Sequence, residues 1–274
     1  MTEPDALDNP NVFSMRQWIG HLDKTGRLSK TKAGVPLDFT LAAISKKLDG
    51  RQATLFSKPD GHETSVISGI VSRREWIAEA IGVKGDQLLK RFRDAVNNPI
   101  PWQEIKSAPA QDVQYMENID LNHLLPIPVH NEHDNGKYIT AGLVIARNPQ
   151  TGDQNVSINR LQISGKDRLG VLILPRDLHK FFDMAEKTGT DLSIAIAIGV
   201  DPITLLASQA IVPTNTDELM VAGGLMKQPL KVVKCLTSNV RVPAESEVII
   251  EGRLLANLRE MEGPFGEFPQ YYGP

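Results

Sequence analysis

Glu262 and Glu267 bracket a Gly-Pro-Phe-Gly turn close to the end of a 274-residue chain. Two carboxylates this close can serve as a general acid and its orienting partner, since burial or a like-charged neighbour keeps a proton on one of them. Their continuation, Phe268-Pro-Gln-Tyr-Tyr-Gly-Pro274, is rich in aromatic residues. It stops where a compact domain would still be in mid-course. The segment therefore suggests both a catalytic acid and an incomplete polypeptide.

Three further residues could do chemistry. Asn155-Val-Ser-Ile-Asn-Arg160 reads as a strand on which Asn155, Ser157 and Asn159 share one face, and Ile158 and Arg160 the other. A polar-faced strand explains that pattern equally well. His179, in Asp177-Leu-His-Lys-Phe-Phe182, reads first as a histidine on an amphipathic helix. Glu218 reads as a first-turn glutamate favoured by the helix dipole. Together Asn155, His179 and Glu218 offer an amide oxygen, an imidazole and a carboxylate, a set suited to a divalent ion such as manganese. A rival, His130-Asn-Glu-His133-Asp134, is polar and lies next to Gly136, so it reads as a solvated loop.

The elements that must position these residues are partly legible. Ser14 can cap a helix carrying Trp18 and Leu22, and Asp38 a second carrying Leu41, Ile44 and Leu48. Val66–Val71 reads as a strand, Ser72 and Glu75 as the capping box of a helix ending at Gly82, and Leu88–Val96 as another helix. A stretch with Pro99, Pro101 and Pro109 marks a boundary. Beyond it strands dominate: Ile139–Ala146, a second carrying Val156, Ile158 and Gln162-Ile163, Gly170–Leu174, Leu192–Gly199, Leu230–Cys235 and Val248–Leu255. Helices fit Asp177–Lys187 and Asp217–Met226, and Asp201-Pro202 is an N-cap with proline at the first helical position. A strand-dominated sheet or barrel with peripheral helices is the natural reading.

Composition narrows the partners. Hydrophobic residues make up 41% and charged residues 23%, as in a globular protein, and the net charge of -3 gives no reason to expect nucleic acid. Cys235 is the single cysteine, so no internal disulfide forms, which fits the cytoplasm. No apolar run approaches the ~20 residues that span a bilayer. The acidic Met1-Thr-Glu-Pro-Asp5 is no secretory signal.

Four stretches, in order, carry a resemblance to the UbiD family of prenylated-FMN-dependent decarboxylases. Asn155–Arg160 resembles its N-x-S-I-x-R segment. Ala197-Ile-Gly-Val-Asp-Pro-Ile-Thr-Leu-Leu206 is similar to its A-x-G-x-D-P-x-x-x-L element. Val232-Val-Lys-Cys235, with Val242-Pro-Ala-Glu-Ser-Glu247 and Glu251-Gly252, matches its V-V-K-C, V-P-A-x-x-E and E-G run. Glu262–Glu267 matches E-G-P-F-G-E.

The resemblance implies an α+β fold. An N-terminal mixed α/β domain (1–112) would precede a split β-barrel of flavin-reductase-like type (113–274), incomplete at its C-terminal side. It implies that Asn155, His179 and Glu218 hold Mn2+, which bridges to the phosphate of prenylated FMN. Ile158, Asn159, Arg160 and Leu178 would contact the cofactor, and backbone carbonyls around Ala207–Ala210 would hold K+. Arg160, Glu262 and Glu267 match a catalytic network with Glu267 as proton donor and Glu262 kept ionised by Arg160. The implied reaction is the reversible, non-oxidative decarboxylation of an aromatic or α,β-unsaturated acid through an adduct on the flavin.

Implied partners are that small-molecule acid, a flavin prenyltransferase as cofactor supplier and, in full-length form, further copies in a homo-oligomer. The family's chains continue well past the last motif, adding strands, a cofactor-contacting lysine and an oligomerisation domain. The chain alone is thus expected to show an open cofactor site, exposed apolar surface and little or no activity. A carboxylase subunit of a multi-chain complex and a non-catalytic scaffold of the same fold are the alternatives. Glu267, where some ubiquinone-pathway members have aspartate, leans away from that pathway.

Overall fold

The computed structural model describes residues 12–213, 216–267, 269 and 271–273. The acidic N-terminus, Thr214-Asn215 and, in the last stretch, Phe268, Gln270 and Pro274 lie outside the described residues. The first region opens with α1 (Met15–Lys24), which Ser14 caps by accepting from Gln17 N–H, with Trp18 and Leu22 buried beneath it. β1 (Leu28–Lys30) pairs in parallel with β2 (Ala53–Phe56) after the crossover helix α2 (Thr40–Leu48), and β3 (Val66–Ser68) adds antiparallel to β2. α3 (Arg74–Ile81), ended by Gly82 at φ 74°, and α4 (Leu88–Asn97) complete it.

Two expected caps differ. Phe39, not Asp38, occupies the cap of α2, at φ 58°. Ser72 is used upstream of α3: its hydroxyl donates to Gly69 O and accepts from Gly50 N–H, so the helix starts later.

The second region holds β4 (Gln103–Ile105), the short α5 (Leu121–Leu124), β5 (Tyr138–Ile139), β6 (Leu143–Arg147), β7 (Gln154–Ile158), β8 (Leu161–Ile163) and β9 (Leu169–Val171). Then come α6 (Asp177–Lys187), β10 (Leu192–Ile198), α7 (Pro202–Ala207), α8 (Glu218–Met226), β11 (Lys231–Lys234), β12 (Arg241–Pro243), β13 (Val248–Leu254), β14 (Phe265–Gly266) and β15 (Tyr272–Gly273). The main sheet is antiparallel in the order β13-β10-β6-β7, which leaves β7 on an edge. β5-β8-β9 form a second sheet, β12-β11-β4 a third and β14-β15 a hairpin. Among the described residues these pairings close no barrel.

Two strands expected to be continuous are broken. Ile139–Ala146 divides at Thr140–Gly142, where the backbone of Gly142 passes so close to the main sheet that a Cβ would stand 2.8 Å from Ile196 Cγ2. The strand expected to run from Val156 to Ile163 breaks at Asn159-Arg160, and its halves enter different sheets. That break places Arg160 between the two sheets.

The main sheet buries both faces. Leu143, Ile145 and Val156 join a core that runs through Leu219 and Ala222 of α8 to Trp18 and Trp76 of the first region. Val144 and Ala146, on the opposite face, pack with Leu178, Phe181 and Phe182 of α6. Asp201 is buried and accepts from Ile203 and Thr204 N–H, capping α7 as the sequence suggests. Leu174, Ile211 and Met261 stand exposed.

Candidate active site

Arg160 emerges from the break after β7 with its side chain only 10% exposed. Its guanidinium forks onto Glu262: Nε donates to Oε1 at 3.0 Å and Nη2 to Oε2 at 2.7 Å. The remaining nitrogen, Nη1, donates to Glu267 Oε1 at 2.5 Å. A planar fork with donors on two sides can serve both carboxylates at once, which an ammonium cannot do in that geometry. Burial alone would lower the guanidinium's pKa, but the two carboxylates raise it overall. The carboxylates differ in setting: Glu262 is 7% exposed and Glu267 33%.

The ring of Phe265, between the two glutamates in sequence, lies beneath Arg160, whose Cζ is 5.3 Å from its centroid. Tyr138 packs against that ring at 4.6 Å and is fully buried. Burial, and then the nearby Glu262 carboxylate, push its phenol up to about 12. Sequence reasoning missed Tyr138, since nothing in Lys-Tyr-Ile-Thr marks that residue as facing a carboxylate more than a hundred positions away.

The loop after Val129 is not merely a solvated turn. Its tip is exposed, but Asp134 faces the hairpin and its Oδ1 accepts from Gly266 N–H at 2.7 Å. Asn135 N–H donates to Pro264 O at 2.9 Å, and the rings of His133 and Tyr272 meet at 5.5 Å. The loop clasps the turn that carries both glutamates.

Asn155 lies opposite Ala146 in register, so it shares the face of β6 and β7 that packs on α6, the helix of His179. Glu218, first in α8 after its cap Asp217, is buried, and its Oε2 accepts from Val156 N–H at 2.7 Å. Glu218 of α8 thus meets β7 at the residue next to Asn155. His179 lies on α6 with its side chain 40% exposed, and its Nδ1 is 3.2 Å from Asp183 Oδ2 of the same helix.

Burial pushes Glu218 up to about 8, and the negative Asp217 and Asp177 add to the rise. Asp177 is a neighbour that sequence reasoning did not single out. A buried carboxylate with negative neighbours suits a bound divalent cation, and amide, imidazole and carboxylate donors fit an ion such as manganese. Of the expected cofactor contacts, Asn159 Nδ2 donates to Leu172 O and Ile158 is exposed. The side chain of Leu178 is packed in the core, so any cofactor contact falls to its backbone.

The motif around Cys235 is structural. Its thiol is buried and pushed up to about 12, while Glu251 accepts from the next two backbone N–H groups.

Comparison with known proteins places this arrangement. The family description "3-octaprenyl-4-hydroxybenzoate carboxy-lyase Rift-related domain", UbiD, matches residues 103–274, and the N-terminal domain of the same carboxy-lyase matches residues 19–96. The chain belongs to the UbiD family. It is 38% identical over 252 residues to an anhydromevalonate phosphate decarboxylase of Methanothermobacter thermautotrophicus, covering 92% of this chain and 58% of that one. It is 31% identical to a phenolic acid decarboxylase of Bacillus subtilis, covering 94% and 58%. Among solved structures it is similar to an evolved dimeric form of the UbiD-class enzyme HmfF from Pelotomaculum thermopropionicum in complex with prFMN. The TM-score is 0.94 and the identity 46%, over 96% of this chain and 62% of that one. The chain thus spans about three fifths of the length of the relatives it matches.

Proposed function

We propose that this chain supports the reversible, non-oxidative decarboxylation of an aromatic or α,β-unsaturated carboxylic acid with prenylated FMN as cofactor. The observation that carries the reading is the unequal sharing of Arg160. Glu262 is buried and takes the two-pronged fork, whereas Glu267 takes a single bond and stands a third exposed. Arg160 locks Glu262 as its charge partner. Glu267, with one oxygen left without a hydrogen bond among the described residues, delivers a proton to the carbon that loses carbon dioxide. Bound prenylated FMN would supply the sink for the electron pair that decarboxylation releases.

Asn155, His179 and Glu218 would hold Mn2+ beside the cofactor phosphate, and Ile158, Asn159 and Arg160 would line the flavin. Carbonyls around Ala207–Ala210 would hold K+. The antiparallel sheets would form the wall of a split barrel over residues 113–274, following an N-terminal domain over 1–112. A flavin prenyltransferase in the cytoplasm would supply the cofactor, and the full-length protein would assemble as a homo-oligomer. No described helix is long and apolar enough to cross a membrane.

The test is to co-express the natural full-length protein with a flavin prenyltransferase and assay carbon dioxide release from a panel of aromatic and acrylic acids. Glu267→Gln should lose about 100-fold or more in turnover while keeping the flavin absorbance. Normal turnover by that variant overturns the reading.

A further inference from the structure

Glu262 and Glu267 each sit one residue outside a segment pinned at both ends. At one end Gly263 N–H donates to Gln162 Oε1 at 3.4 Å. At the other, Gly266 N–H donates to Asp134 Oδ1 at 2.7 Å. Both pins belong to one assembly, because Gln162 Nε2 also donates to Asn135 O at 2.5 Å.

The Asp134 pin is the tighter. It is short, its acceptor is a carboxylate, and such charge-assisted bonds are about twice as strong as neutral ones. The other oxygen of Asp134 accepts from Asn131 N–H at 2.9 Å, closing the loop on itself. One carboxylate thus joins a self-closed loop to the peptide just before Glu267. Glu267 N–H in turn donates to Tyr271 O at 2.8 Å across the hairpin.

We propose that Asp134 is a positioning residue for proton transfer, fixing the Gly266-Glu267 peptide so that the Glu267 carboxyl is held against Arg160 Nη1. The inference rests on Glu267 being the donor. A glutamate has a long, flexible side chain, and its single bond to Arg160 does not fix where its second oxygen points. Anchoring the backbone fixes the point from which that side chain reaches Arg160, and a displacement of about 1 Å at a reacting group costs about 100-fold in rate. Asp134 touches no reacting atom, so its effect reaches the chemistry only through the hairpin.

The experiment uses the full-length, cofactor-loaded protein and Asp134→Ala. Amide hydrogen exchange at Gly266 and Glu267 should rise about tenfold, as expected for loss of a hydrogen bond to a charged group. Amides of β6 and β10 should keep their protection, which reports an intact fold. Exchange of the product's carbon-bound hydrogen with deuterated solvent reads the proton transfer directly. It should slow by about 10- to 100-fold, with KM changed less than about twofold.

Loosened amides with an unchanged rate of product exchange overturn the proposal, and so do amides that stay protected. Should the alanine variant not fold, Asp134→Ser, whose shorter side chain cannot bridge Asn131 and Gly266 together, carries the same comparison. If Glu267→Gln exchanges product normally, the donor assignment itself falls, whatever Asp134 does, so the two failures are told apart.

Discussion

One guanidinium serves two carboxylates here, and its planarity is what makes that possible. Lysine would keep the charge but could not fork onto Glu262 while also reaching Glu267. Arg160→Lys is therefore expected to lower turnover by about 10- to 100-fold with an unchanged far-ultraviolet circular dichroism spectrum; near-normal rates would show that charge alone suffices. Tyr138 carries a prediction about pH. Its folded-state value of about 12 lies above the ordinary 10.0, so the folded chain holds this proton more tightly than the unfolded chain. The resulting stabilisation is whole below pH 10 and is lost as pH rises towards 12. A phenolate absorbance step near pH 12 should be present in the wild type and missing from Tyr138→Phe. The buried Cys235 thiol should react with a disulfide reagent at pH 8 only when denaturant opens the core. At this scale the sequence showed the charges but not their geometry. The paired glutamates, Arg160 and Glu218 stand out by type and motif. Tyr138 does not, and Asp134 stands out only within a motif read as a solvated loop, because their partners lie more than a hundred positions away and no local pattern encodes such a contact.

The elements were most legible where local chemistry decides them. Ser14, Asp201 and Asp217 each cap the helix that follows, as side-chain acceptors at N-caps do, and α6 begins and ends where the sequence places it. Legibility failed where tertiary contacts override local preference. The break at Gly142 answers to Ile196 on a neighbouring strand, and the break at Asn159-Arg160 answers to the separation of two sheets. Helix α8 owes its position to two glycines. A Cβ on Gly223 would stand 2.6 Å from Ile100 O and one on Gly224 3.0 Å from Ala95 O, so α8 lies directly on the chain leaving α4. Alanine in a helix gains about 1 kcal/mol over glycine. A clash with backbone atoms cannot be relieved by rotating a side chain, and overpacking of this kind costs about 1–3 kcal/mol. Gly223→Ala should therefore lower the denaturant midpoint, and a raised midpoint would show that α8 can slide. Because Glu218 is the first residue of α8, the same variant should also weaken the Mn2+ binding proposed for it, measurable by calorimetry.

Across the whole molecule, one continuous core joins the two regions. Trp18 and Trp76 share it with Leu143, Leu219 and Val233, and Trp102 Nε1 donates to the α8 cap Asp217 at 2.8 Å. All three tryptophans lie in the first 102 residues, whereas most of the strands lie beyond them. Unfolding followed by tryptophan fluorescence and by circular dichroism should therefore share one midpoint; separate midpoints would mean that the regions unfold independently. The proline-rich stretch gave no hint that β4, within it, pairs with β11 across more than a hundred residues. The bond from Val156 N–H to Glu218 has a meaning beyond the site it belongs to. β7 is an edge strand, and an exposed edge is a template on which a second chain can add a strand. Glu218 occupies the backbone donor such a strand would use, and it presents a carboxylate in place of an open ladder. The residue proposed to hold a metal thus also closes one backbone donor of this edge, and Glu218→Ala should speed amide exchange at Val156.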